Sequence, residues 1–282
     1  MKILFLGGKK ILGRAIIEKL AEVNDIKLFN LTRTKSANFY KNITHLKGDR
    51  NNTNILKSIL KENDFDIVFD NNCYEFKSFK TIFEVIKNKK IFYIFTSSII
   101  TYLNFNNIKV EKDSFNKEFL KLNKYLPKKL SYNKKRIELY LLNQKKVKFS
   151  IIKMHNLIGK NDHSNKTEYL QKFNEFYLSE LKIKKDAFLQ FAYINDVTQI
   201  IFKLIERLKN KKKVFNIYNI ANDPLSIKDL LKINKNNKKK YKNINKEIIE
   251  DLIVSNIRVK KNLNFRFTKN NEILKKIKKL KN

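Results

Sequence analysis

A single cysteine, Cys73, stands in the 282 residues, which excludes a disulfide within the chain and any multi-cysteine metal cluster. Histidine is nearly as rare, and His45, His155 and His163 lie too far apart for a compact zinc site. Tryptophan is absent, with only 2 prolines and 5 glycines. Long apolar runs are missing too. The run at residues 3–6, after Met1 and Lys2, is far too short for a membrane span or a signal-peptide core. These absences point to a protein of a reducing compartment, expected to be cytoplasmic, with no membrane partner and no metal.

Acidic side chains are also short in number. Lys plus Arg total 62 against 27 Asp plus Glu, a formal charge of +35. Such an excess suits nucleic acid or another anionic surface. A second cause competes with that reading. The abundant residues Lys, Asn, Ile, Phe and Tyr have A/T-rich codons, and the lysines spread along the whole chain, with denser runs only at 232–248 and 269–282. Codon bias is the main expected cause, and nucleic-acid binding stays open behind it. Hydrophobic residues make up 42% of the chain, enough for a folded core.

The first half alternates short apolar runs with amphipathic stretches. Strands are expected at 2–6, 26–31, 43–46, 66–70 and 91–96. Helices are expected between them, over 12–23, around Ile55, Ile59 and Leu60, and around Phe79, Ile82, Phe83 and Ile86. That order predicts right-handed βαβ units and an α/β fold with a doubly wound parallel sheet. Residues 104–128 read as loop-rich. A strong helix follows over 131–143, then a strand over 149–154. Helical pieces at 166–180 and 196–209 come next, then a short strand at 214–217, a Lys/Asn-rich loop at 232–248 and a basic helical tail. The expected division is a nucleotide-binding domain over 1–155 and a smaller part, interleaved with it, over 156–282.

Gly7-Gly8-Lys9-Lys10-Ile11-Leu12-Gly13 stands where the first strand ends and the first helix begins. A tight turn there needs residues without Cβ, and a pyrophosphate needs bare backbone N–H groups at the helix N-terminus. Gly7 and Gly13 take the first and third glycine positions of a dinucleotide loop, and Lys10 stands at the middle one. The second strand ends without a carboxylate and runs into Arg33 and Lys35. A carboxylate would accept from the ribose 2′-hydroxyl of NAD, whereas a basic group suits the 2′-phosphate of NADP. NADP is therefore favoured over NAD.

Further segments follow in order. They are Lys47-Gly48-Asp49-Arg50, Asp66-Ile67-Val68-Phe69-Asp70-Asn71-Asn72, Phe95-Thr96-Ser97-Ser98 with Tyr102, residues 149–159, and Phe191-Ala192-Tyr193-Ile194-Asn195-Asp196-Val197. With the glycine loop, this set resembles the extended short-chain dehydrogenase/reductases, the NAD-dependent epimerase/dehydratase family, over residues 1 to about 235. The resemblance implies a Rossmann-like sheet with a smaller C-terminal α/β substrate-binding part, and a small-molecule substrate such as a nucleotide sugar. It also implies cofactor contacts from Gly7, Gly8, Lys10, Ile11, Leu12, Gly13, Arg33, Asp49, Arg50, Asn71 and Lys134, the last holding the nicotinamide ribose. Relatives often form homodimers through a helix pair. Some members of the superfamily are RNA-associated, notably a chloroplast stem-loop-binding group, so RNA is a second, less favoured partner.

The same resemblance implies a catalytic tyrosine whose pKa is lowered by a lysine four residues on, with a serine from the fifth strand beside it. Ser98 takes the serine position. In Leu130-Ser131-Tyr132-Asn133-Lys134-Lys135-Arg136-Ile137-Glu138, alignment on Lys134 and Glu138 puts Leu130 where the tyrosine belongs. Leucine carries no proton. A second register pairs Tyr132 with Arg136 and loses the glutamate. Two residues rotate a helical side chain by roughly 200°, so Tyr132 is no direct substitute for residue 130. His155, His163 and Cys73 are weaker replacements. Function therefore stays divided among a nucleotide-sugar epimerase, dehydratase or reductase, an inactive dinucleotide-binding scaffold and an RNA-binding relative.

Overall fold

The computed structural model describes residues 1–34, 42–102, 107–116, 130–162, 166–171, 188–233 and 253–280. Seven strands, β1 (Lys2–Leu6), β2 (Lys27–Thr32), β3 (Ile43–Lys47), β4 (Ile67–Asp70), β5 (Phe92–Ser98), β6 (Lys148–Met154) and β10 (Ile217–Ile220), form one sheet in the order β10-β6-β5-β4-β1-β2-β3. Every pairing in it is parallel. The chain winds outward from β1 through β2 to β3, then returns to the other side of β1 at β4. That reversal opens a crevice at the carboxyl ends of β1 and β4, the place where open α/β sheets bind ligands.

Strand β1 shows how both faces are covered. Ile3 and Phe5 point to one side, and Leu4 and Leu6 to the other, all buried. The first pair joins Ile16 and Leu20 of α1 (Ile11–Ala21), Ile200, Ile201 and Leu204 of α6 (Ile194–Lys209) and Ile273 and Ile277 of α9 (Asn270–Lys278). The second pair joins Leu56 and Leu60 of α2 (Thr53–Glu62) and Phe79, Ile82 and Phe83 of α3 (Phe76–Ile86). Period-2 alternation in the strand thus feeds two cores, and a sheet buried on both faces needs apolar residues at nearly every position. Phe5 stacks on Phe69 of β4 at 4.8 Å between ring centroids, which locks the two strands that border the crevice.

Helix α4 (Leu130–Leu142) lies against β5 and α3. Further short elements are β7 (Leu157–Ile158), β8 (Phe188–Leu189), β9 (Ala192–Tyr193), β11 (Leu225–Ser226), α5 (Lys166–Gln171), α7 (Ile227–Ile233) and α8 (Ile257–Asn262). The helix expected over 166–180 is described only to Gln171, and most of the Lys/Asn-rich stretch lies outside the described residues. The short strand expected at 214–217 is displaced to Ile217–Ile220. Its polar centre hid it: Asn219 is fully buried, and its side-chain oxygen accepts from the Tyr102 hydroxyl at 2.6 Å. Phe215, by contrast, is exposed. The basic tail is also part of the core, because α9 buries Ile273, Leu274 and Ile277 and turns its lysines outward. Among the described residues no helix is long and apolar enough to cross a membrane, and no cluster of three His, Cys, Asp or Glu side chains could hold a metal.

Candidate functional site

The glycine loop is shaped by what a side chain would strike. Gly7 adopts φ +99°, a left-handed conformation that disfavours other residues, and a Cβ there would overlap the Asn72 side chain. A Cβ on Gly13 would run into the Gly7 carbonyl oxygen, so α1 packs directly on the loop. Gly8 lies over Ile17 and the buried Asn30. Lys10 is the residue before the first turn of α1. No side chain caps that turn, and it holds no acidic residue. Its amides and the positive end of the helix dipole therefore face the crevice without a protein anion to meet them. Asn71, just past β4, donates from its side-chain nitrogen to the Gly7 oxygen at 3.1 Å and ties the loop to the neighbouring strand.

Beside this loop lies a cleft of about 720 Å³, within the range of small-molecule sites, lined by Gly7, Lys9, Lys10, Arg33, Asp49 and Asn71 among others. Gly8, Ile11, Leu12 and Gly13 stand behind that lining and shape it. The end of β2 carries Thr32, whose hydroxyl donates to the Thr34 carbonyl at 2.8 Å, and Lys9 bonds the Thr34 hydroxyl. Arg33 is exposed on the wall, while Lys35 lies outside the described residues. Asp49 accepts from the Asn51 N–H at 2.9 Å and holds the turn into α2. Arg50 has a different commitment. It forms a two-pronged ion pair with the fully buried Asp70, donates to Asn72 at 3.1 Å, and shares Asp70 with the Tyr93 hydroxyl at 2.7 Å. Arg50 is thus a floor of the cleft whose charge is already neutralised, and burial holds Tyr93 well above the usual phenol range.

The end of β5 looks different. Lys134 is buried, donates to the Thr96 carbonyl at 2.6 Å and lies 5.3 Å from the Phe95 ring centre. Burial brings it down to about 8. One turn further, Glu138 is fully buried and accepts from Ser97 and Thr101. It also pairs with Lys153 of β6 at 2.9 Å. Lys153 donates to Thr101 at 2.6 Å and sits 3.6 Å from the Tyr102 ring centre, and burial brings it to about 8 against the pull of Glu138. The structure therefore brings Lys134 and Ser98 to the end of β5, with Glu138 sealed behind them. Ser98 is half-buried and accepts from the Ile100 N–H at 3.4 Å. Tyr132 lies elsewhere, beside Arg136, whose guanidinium stacks 4.2 Å over Phe76 of α3. Leu130 is exposed at the first residue of α4.

His155 accepts from the Asn156 N–H at 2.7 Å, and His163 lies outside the described residues. Cys73 is buried, and burial with the nearby Asp70 charge pushes its thiol up to about 12, which makes it inert. Sequence reasoning missed Lys9, Thr32, Asn72 and Tyr74 on the cleft wall and Asp70 beneath it. A charged residue closing an otherwise apolar strand was the available signal for Asp70, since such a group must find a partner when buried.

No family model matches the chain. A curated relative, the chloroplast stem-loop binding protein of 41 kDa b from Arabidopsis thaliana, is 34% identical over 117 residues, which cover 36% of this chain and 30% of that protein. The chain thus matches less than a third of that relative's length. Among solved structures, a UDP-glucose 4-epimerase superposes with TM-score 0.69 at 15% identity, covering 99% of this chain and 95% of that one. The dTDP-glucose 4,6-dehydratase of Bacillus anthracis, in complex with NAD, gives 0.68 at 16% identity over 98% and 95%. The UDP-glucuronic acid 4-epimerase of Bacillus cereus, also with NAD, gives 0.69 at 14% over 99% and 96%. The chain has the Rossmann-like fold of the NAD-dependent epimerases and dehydratases, in agreement with the resemblance read from its sequence.

Proposed function

We propose that this chain binds a nicotinamide dinucleotide, NADP in preference to NAD, in the cleft beside the glycine loop. The observation that carries this reading is the pairing of an uncapped, acid-free α1 N-terminus with a β2 end that presents Thr32 and Arg33 where NAD-specific sites place a carboxylate. The residues fit the group. Gly7, Gly8 and Gly13 let the loop pack closely on Asn72, Ile17 and α1, so that its backbone can approach a pyrophosphate. Lys9, Lys10 and Arg33 supply charge for phosphates, and Lys134, buried at the end of β5, is the lysine for the ribose beside the nicotinamide. A bound nicotinamide supplies hydride exchange, and the solved relatives that carry NAD act on nucleotide sugars. A small-molecule substrate of that class is the corresponding reading here.

The chain's own contribution to proton transfer departs from the family pattern. The burial of Lys134 and Glu138 on one face of α4 favours the register in which Leu130 stands in the tyrosine position. With that register Ser98 and Lys134 orient a ligand, and neither Leu130 nor the distant Tyr132 supplies a proton. This favours an epimerase-like protein with altered or lost chemistry over a standard epimerase. The likeness to the stem-loop binding protein, with the formal charge of +35, supports a second reading in which the same fold binds RNA.

Titration with NADPH and NADH, read by nicotinamide fluorescence and thermal shift, tests the proposal. Saturable binding that prefers NADPH and raises the melting temperature is expected, because ligand bound only by the folded state stabilises it. Binding of neither cofactor overturns the reading. Steeply salt-dependent binding of a hairpin RNA would then favour the second.

A further inference from the structure

Tyr74 is the exposed aromatic side chain of the turn that follows β4, with 45% of its surface open. Its ring centre lies 5.7 Å from the Lys10 ammonium of the glycine loop and 5.9 Å from the Lys134 ammonium of α4. One ring therefore touches both the loop that would hold the pyrophosphate and the lysine that would hold the nicotinamide ribose. The cleft is walled by Tyr74, Glu75 and Ser78 at this end, and neither Lys134 nor Ser98 contributes to its lining. Lys134 keeps only 6% exposure behind the ring.

The backbone around Tyr74 is fastened on both sides. Asn71 donates to Gly7 at 3.1 Å, Asn72 accepts from Arg50 at 3.1 Å, Cys73 is buried, and the Phe76 N–H donates to the Asn133 side chain at 3.1 Å. The Tyr74 hydroxyl has no hydrogen-bond partner among the described residues. A held backbone with a loosely held ring describes a side chain that turns about its own bonds, with no loop movement needed. Cation–π contacts with Lys10 and Lys134 keep it in place.

We infer that Tyr74 is a specificity-determining gate, dividing the dinucleotide cleft into an open adenosine-phosphate half and a nicotinamide half that opens when the ring leaves Lys134. This rests on the dinucleotide reading above. Ligands that fill only the open half bind without moving the ring, and the full dinucleotide must displace it. The gate thereby lowers affinity for the whole cofactor relative to its adenosine end.

Calorimetric titration of the full chain with adenosine 2′,5′-bisphosphate and with NADP⁺ tests the gate, using the wild type, Tyr74→Ala, Tyr74→Val and Tyr74→Phe. In both ring-less variants NADP⁺ is expected to bind about tenfold tighter, with the bisphosphate unchanged, and Tyr74→Phe is expected to follow the wild type. Unchanged bisphosphate binding also reports that the ring-less variants are folded. Weaker NADP⁺ binding in the ring-less variants would make Tyr74 a stacking wall, and an equal effect on both ligands would make it part of the phosphate site; either overturns the gate. If the wild type binds neither ligand, the dinucleotide reading itself fails.

Discussion

The two ends of the crevice hold their charges in opposite ways. Beside the glycine loop Lys9, Lys10 and Arg33 line an open cleft whose wall also includes Asp49 and Glu75, and no ion pair holds these three cations among the described residues. At the end of β5 Lys134 and Lys153 are buried, and Glu138 is spent on Lys153, Ser97 and Thr101. One end is organised to receive an anion and the other to hold itself together. The buried charges of Glu138 and Lys153 are committed to each other and to packing. Glu138 fixes α4 against β5 and β6, and α4 in turn sets where Lys134 points.

The sharpest way to break this contrast is to remove Glu138. Glu138→Ala leaves Lys153 charged and fully buried without its partner, and losing one member of such a pair costs about 3–5 kcal/mol. Urea unfolding followed by circular dichroism measures it. The double variant Glu138→Leu with Lys153→Met is expected to recover most of that loss, because it removes both charges together. A single-variant loss below about 1 kcal/mol, the ordinary worth of an exposed ion pair, would show that the network is not structural.

The buried lysines also give the contrast a pH signature. Burial brings Lys134 and Lys153 from an ordinary 10.5 to about 8. Between those values the unfolded chain holds protons that the folded protein has shed. Stability therefore rises as pH climbs from about 8 toward 10, by at most about 1.4 kcal/mol per pH unit for each lysine. Above that range Tyr93 and Tyr102, whose pKa burial raises, oppose the gain, because the unfolded chain ionises its tyrosines first. Lys153→Met should flatten the rise, and a flat profile in the wild type would contradict the burial of these groups.

Legibility in the sequence followed the same division. The parallel sheet, its alternation with helices and the glycine loop were readable because apolar periodicity and glycine spacing are local signals. Gly7 and Gly13 stand where the loop requires them. The β10 boundary was missed because buried Asn219 interrupts the apolar pattern, and it is tolerated only through its bond from Tyr102, 117 positions earlier. Arg50 entered the cofactor set through the resemblance of Lys47-Gly48-Asp49-Arg50, and its ion pair with Asp70 was not legible because that partner lies on another strand. The pairing of Lys153 with Glu138 likewise joins a strand to a helix across the fold. Long-range charge pairing carries no spacing rule along the chain.

A smaller effect follows at the loop. Gly13→Ala forces a methyl group onto the Gly7 carbonyl oxygen, a backbone atom that cannot swing aside. Overpacking of this kind costs about 1–3 kcal/mol. Nucleotide binding should be lost along with it, because the adjustment displaces the amides that would face a phosphate. A thermal melt paired with cofactor titration separates the two losses, and retained NADPH binding would argue that the ligand sits elsewhere.

The finest cut is at Arg33. It is exposed, and no ion pair holds it among the described residues, so its removal should leave stability unchanged. The whole consequence then falls on ligand choice. If Arg33 meets a 2′-phosphate, Arg33→Ala weakens NADPH by about tenfold, the worth of one charge-assisted contact, and leaves NADH untouched. The loss should shrink at high salt, since an exposed cation is screened within about 10 Å at 0.1 M ionic strength. Equal weakening of both cofactors would instead mean that Arg33 acts through the general potential of the cleft. The preference for NADP would then have to rest on the absence of a carboxylate at the end of β2 alone.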